Sequence, residues 1–285
     1  MAAPEALAIP RRFGETTRTD LWWLQPLGVF LGFSAFIIYS TWAAFQGLPT
    51  NAHPGAYWFN GEGANYLSPF YSPPIFAVQP PAGQPLPPHI WMQPTWWPAS
   101  LPFSPGFFIM WIPAGFRFTC YYYRGQYYKA FWLDPVACTV GEPRKTYWGE
   151  KYLPLVLQNV HRYFFYLAAV FILILSRDAW DGLWFTNADG TEHFGVAVGS
   201  LVLIVNVFLL AMYTFGCHSF RHLIGGFLDS KSKAPTCASI YNCASCLNAK
   251  HGNWAWYSLF WVGFTDVYIR LCALGIWHDY HLVTL

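Results

Sequence analysis

The chain turns on residues 118–161, FTCYYYRGQYYKAFWLDPVACTVGEPRKTYWGEKYLPLVLQNVH, which leave one apolar run and enter the next. Cys120, Cys138 and His161 sit in this stretch among tyrosines, tryptophans and basic residues. If the flanking runs cross a membrane, the stretch forms one face of a membrane protein. Its thiols and imidazole then lie at the lipid boundary.

Composition supports that reading. Of 285 residues, 55% are hydrophobic and only 11% are charged, where a soluble domain carries about 25% charged residues. Too few charges remain to cover a soluble surface. Phe, Trp and Tyr make up 21% of the chain, and such rings concentrate where membrane proteins meet lipid headgroups. The 7 cysteines are odd in number and clustered. That pattern argues for thiols or metal ligands rather than a secreted disulfide framework.

The expected fold is an all-α integral membrane protein, a single membrane domain over residues 1–285 with five transmembrane helices. The approximate spans are 21–45, 104–123, 155–175, 194–217 and 254–276, each near the ~20 residues a bilayer requires. Arg11, Arg12 and Arg18 precede the first run, which is too long for a signal-peptide core. Residues 46–103, including QPPAGQPLPP at 79–88, contain no Lys or Arg. Proline on that scale prevents a helix, so this segment is expected to be a long Pro-rich extracytoplasmic loop. Pro113 and Arg117 lie in the second span, where the arginine's stem can reach the interface. Asp266 and Arg270 lie four apart on one face of the last.

Charge sets the orientation. Of the 16 Lys and Arg residues, all but Arg177 and Arg270 fall in the N-terminal tail, between Arg117 and Arg162, or between Arg221 and Lys250. Five spans place those three groups on one side, which predicts a cytoplasmic N-terminus and an extracytoplasmic C-terminus. Topology accounts for the basic residues, so nothing points to nucleic acid.

That threading also brings the candidate ligands to one depth. Cys120 ends the second span, Cys138 follows it, His161 opens the third, and CHSFRH places Cys217, His218 and His222 at the end of the fourth. Thiolate and imidazole together suit iron–sulfur or zinc centres. Two cysteines with two histidines fit a Rieske-type centre, and His161 with His218 or His222 equally fits axial ligation of haem b. A lone interfacial histidine or membrane cysteine is more often a packing residue. A second group, Cys237, Cys243, Cys246 and His251, has the spacing of a weak metal site or of a thiol cluster at a partner contact.

The runs CYYYRGQYYKAFWLDPVACTV, NVHRYFFYLA and CHSFRHLIGG resemble the membrane subunit of actinobacterial-type, and in particular mycobacterial, succinate dehydrogenase. The similarity is strongest from Phe118 to Gly226. It implies a membrane anchor and electron-relay subunit of succinate:quinone oxidoreductase (complex II), active only in the complex, in the bacterial cytoplasmic membrane. A flavoprotein subunit and an iron–sulfur protein subunit would be its partners, and menaquinone its acceptor. A Rieske-type [2Fe–2S] cluster would be held by Cys120, Cys138, His161 and His222, with His218 as the alternative to His222. Tyr122, Arg124, Trp132 and Asp134 are candidate quinone or partner contacts. A small additional membrane subunit is a further candidate partner. The rivals are a haem b anchor of the same enzyme class and a transporter or channel with structural cysteines. A transporter would be expected to show repeated halves and midplane polar sites, and neither is evident.

Overall fold

In the computed structural model the described residues are 20–21, 23–46, 56–77, 91–92, 94–98, 100, 103–131, 156–187, 189–226 and 233–284. Trp132, Asp134, Cys138, the N-terminal tail and QPPAGQPLPP lie outside them.

Eight helices carry the architecture among the described residues: α1 (Leu24–Phe45), α2 (Pro105–Thr119), α3 (Tyr121–Phe131), α4 (Val156–Asp181), α5 (Val198–Phe215), α6 (His218–Gly225), α7 (Pro235–Ala249) and α8 (His251–Ala273). Helix α2 starts where Ser104 Oγ accepts from the Gly106 N–H at 3.2 Å and Pro105 takes the first position, a favoured capping arrangement. It stops because Cys120 turns extended, at φ −64° and ψ 129°. Helix α5 packs along both α4 and α8, α2 lies along α4, and α1 touches α2, α3 and α8.

The expectation of five spanning helices is corrected to three. Among the described residues only α1, residues Asn159–Asp181 of α4, and α5 are long and apolar enough to cross a membrane. The expected span at 104–123 breaks at Cys120, and the 15 residues of α2 rise about 22 Å, short of the ~30 Å hydrocarbon core. The last helix has 23 residues, but Asn253, Asp266 and Arg270 interrupt its apolar character. Many large side chains on the three apolar helices face outward, among them Leu31, Ile38, Leu173 and Phe208. That is the surface a lipid solvent favours.

Short strands gather at one end. Strands β1 (Trp58–Phe59) and β2 (Tyr66–Leu67) pair antiparallel, and β3 (Phe76–Ala77) pairs parallel with β4 (Trp91–Met92). Strands β5 (Trp184–Thr186), β6 (Glu192–Ala197) and β7 (His281–Thr284) form an antiparallel sheet in that order. The expected span from residue 194 therefore starts later, because residues 192–194 pair with β5 and 195–197 with β7. Gly63, at φ +80°, meets β5 so closely that an added Cβ would lie 2.8 Å from the Thr186 carbonyl oxygen.

Two buried carboxylates tie this end together. Asp266 is fully buried and accepts from Arg270 Nε at 2.6 Å, from Tyr39 Oη at 2.5 Å and from Ser68 Oγ. Arg270 does not reach water; its Nη2 donates to the Ala43 carbonyl at 3.3 Å. Asp279 accepts from Tyr66 Oη at 2.6 Å, Tyr268 Oη at 2.7 Å and the Gly199 N–H at 2.8 Å. That last bond sets a carboxylate on the positive end of α5. Asp266→Ala leaves the Arg270 guanidinium buried and unpaired, which is expected to cost about 3–5 kcal/mol. Arg177→Ala breaks the exposed pair with Asp181 and is expected to change nothing measurable. Thermal unfolding of the two variants in detergent checks the contrast.

Candidate functional site

The opposite end holds the candidate chemistry. Here α2 ends, α4 begins, α5 passes into α6, and α7 hands over to α8. A cavity of about 480 Å³ opens between them. Cys120, His161, Cys217, His218, His222 and His251 all line it, with Tyr121, Tyr122, Arg162 and Asn248.

Each inner group is fixed by its surroundings. His161 stacks on Phe116, rings nearly parallel at 4.6 Å, and its Nδ1 is 2.9 Å from Thr119 Oγ1. Nε2 is thereby the nitrogen left for another partner. Tyr213 packs edge-on against Phe116 at 5.4 Å and stacks on His251 at 4.9 Å. Four rings therefore run in series from α4 through α2 and α5 to α8. His251 Nε2 lies 3.8 Å from Cys120 Sγ, and its Nδ1 is buried with no hydrogen-bond partner. Burial and then the Arg117 charge push the His251 pKa down to about 4, so the ring is neutral at physiological pH. Neutral imidazole is the ligating form.

Cys217 caps α6, its Sγ accepting from the Phe220 N–H at 3.3 Å. Burial pushes its thiol up to about 12, and Cys120 nearby adds to that shift. It stays protonated unless a metal displaces the proton. His218 and His222 are more exposed than His161 and His251. Burial followed by Arg221 lowers the His218 pKa. Tyr122 receives a hydrogen bond from Trp256 Nε1 at 3.0 Å and lies over Gly252, where a Cβ would come within 2.9 Å of its ring.

Arg117 turns inward, contrary to the expectation that it reaches the interface. Its Nη2 donates to Ser258 Oγ at 3.0 Å, its Nη1 to the Ala255 carbonyl at 3.2 Å and to Tyr123 Oη, and it lies 4.7 Å over the Tyr213 ring.

A family model for the actinobacterial succinate dehydrogenase subunit SdhC matches residues 24–275. The chain belongs to that family. Among solved structures it is similar to a chain of the Mycobacterium smegmatis Sdh1 complex in the apo form, at 38% identity over 99% of this chain and 98% of that one, with a TM-score of 0.76. No curated protein matches it. It is a membrane subunit of a succinate dehydrogenase-type complex and works only as part of that enzyme.

Within this SdhC-family subunit, the expected ligands Cys120, His161 and His222 meet at the cavity, and so does His218. Cys138 lies outside the described residues. The expected second cluster divides: Cys237, Cys243 and Cys246 are exposed on α7, while His251 turns into the Cys120 cavity. Cys217, which the sequence brings to this depth without entering the expected ligand set, and Tyr213, which it does not mark, also belong to the site. The chain does hold a signal for the first, since Cys217 directly precedes the histidine pair of CHSFRH. Among the described residues no three His, Cys, Asp or Glu side chains close around one point as a mononuclear metal requires.

Thiol accessibility provides a direct check. Alkylation of the native subunit in membranes is expected to label Cys237, Cys243 and Cys246 readily. Cys120 and Cys217 are expected to label only after unfolding, with peptide mass spectrometry as the readout.

Proposed function

We propose that this subunit anchors the flavoprotein and iron–sulfur subunits of a succinate dehydrogenase and relays their electrons through a Rieske-type [2Fe–2S] centre at the Cys120 cavity to menaquinone. One observation carries the reading: two buried thiols and two well-held imidazoles, Cys120 with Cys217 and His161 with His251, line one cavity. A Rieske-type cluster takes two thiolates on one iron and two imidazoles on the other. It asks for two protein ligands per metal, so the absence of a three-ligand group among the described residues does not count against it.

The residues present fit such a group. The buried Nδ1 of His251 lacks a partner, and the Cys217 sulfur already receives a backbone N–H of the kind that tunes cluster potentials. Cys120 and His161 belong to the set implied by the family resemblance. Burial favours His251 over His222 as the second imidazole, and Cys217 is the second buried thiol on the cavity. When bound, the cluster would supply one-electron transfer between two-electron donors and acceptors.

The chain's own residues do the rest. Thr119 fixes the His161 tautomer, Phe116 and Tyr213 hold both imidazoles in place, and the ring stack keeps water from the apolar side. Tyr122 and Asn248 present polar atoms to the cavity, where a quinone headgroup would need them. The basic residues flanking this end support placing it in the cytoplasm, with the C-terminal strand on the far side.

A low-temperature EPR spectrum of the dithionite-reduced complex, with an absorption scan of the same sample, tests the proposal. The expected result is a histidine-ligated [2Fe–2S] signal that disappears in Cys120→Ser and His161→Ala. Cys217→Ser and His251→Ala should abolish it too, while Cys138→Ser and His222→Ala retain it. A b-type haem band without that signal would overturn the assignment.

A further inference from the structure

Two arginines flank Cys120 along the chain. Arg117 precedes it by three residues and Arg124 follows by four, with the Arg124 N–H donating to the Cys120 carbonyl at 3.0 Å. Arg124 is only 9% exposed, and its Nε and Nη2 are buried with no hydrogen-bond partner. Arg117 meets neutral oxygens and the Tyr213 ring. Among the described residues, neither guanidinium is paired with a carboxylate, whereas Arg270 and Arg177 each are.

Such an arrangement is costly unless something else compensates it. Burying a charge without a partner is unfavourable, and a guanidinium does not escape by losing its proton. Both lie one turn from a buried thiol along the chain, and Arg117 sits over the Tyr213 ring that stacks on His251. Neither lines the cavity with the thiols and imidazoles.

We infer that Arg124, reinforced by Arg117, sets the reduction potential at the Cys120 site by stabilising the negative charge that arrives with an electron. The inference rests on the one-electron centre proposed above. The electron comes from the extrinsic subunits and leaves to quinone; no bond forms or breaks at Cys120, and the charge of the site falls by one on reduction. Arg124 is thus a positioning residue, since it touches neither the reacting atoms nor the quinone cavity.

A redox titration of the EPR signal in the assembled complex tests this. Arg124→Met removes the charge and keeps an aliphatic stem. It is expected to lower the reduced-to-oxidised ratio at fixed ambient potential about tenfold, a midpoint fall of about 59 mV for a one-electron couple. Arg124→Lys is expected to stay near wild type. An unmoved midpoint in Arg124→Met, or an equal fall in both variants, overturns the inference. Should Arg124→Met not assemble, Arg124→Gln serves instead: it removes the charge and keeps polar donors, and an unmoved midpoint overturns the inference. A wild-type complex without the cluster signal sinks the centre itself; a normal signal with an unmoved midpoint sinks only the role of Arg124.

Discussion

The Asp266 carboxylate is the constraint on which the rest of the bundle depends. It gathers donors from three separate parts of the chain: Tyr39 of α1, Ser68 of the segment after β2, and Arg270 of its own helix. A charge this deep is tolerable only with its hydrogen bonds complete. Tyr71 and Arg270 both donate to the Ala43 carbonyl, which closes the end of α1 onto the same group. Helices α1 and α8 and the 56–77 segment are thereby held in one relative arrangement. Asp279 does the same for α5 and α8 through Gly199 and Tyr268. Because α1, α5 and α8 reach the other end of the bundle, these two carboxylates also help fix where Tyr213 and His251 stand.

The two ends of the molecule treat polar atoms differently. At the Asp266 end the carboxylates, hydroxyls and guanidinium find partners. At the cavity end several do not: Arg124 Nε and Nη2, Tyr213 Oη, His251 Nδ1 and Trp254 Nε1 are all buried and unsatisfied. Each such group costs about 1–3 kcal/mol, and a fold does not accumulate them around one thiol without compensation. The proposed cluster would compensate part of this concentration. The saturated network at one end supplies the stability that the unsatisfied end consumes.

Much of the candidate site was legible in the sequence. Cys120 and His161 read as ligands because they flank apolar runs at one depth, and the cavity holds both. His251 was grouped with Cys243 and Cys246 because it follows them closely in the chain. The break at Lys250, at φ −113° and ψ 21°, instead starts a new helix that carries His251 back into the bundle and leaves the cysteines outside. The number of spans was misread for a related reason. A window of apolar residues does not register that Cys120 turns extended, and the last run was read as a span although Asn253, Asp266 and Arg270 interrupt its apolar character. Strand β6 pairs locally with β5, but its second partner, β7, lies more than eighty residues further along the chain.

The ring series His161–Phe116–Tyr213–His251 links these observations to function. On one side lies the polar cavity with the thiols; on the other, Phe116, Arg117 and Tyr213 line a smaller cavity of about 130 Å³ whose walls are mostly apolar. The rings therefore stand between the two cavities. A redox site that hands electrons to a lipid-soluble acceptor needs both: polar groups for a headgroup that takes up protons, and a low-dielectric wall that strengthens each charge behind it. Cys120 stands where α2 ends and the chain turns extended, on the cavity it shares with Cys217, His161 and His251.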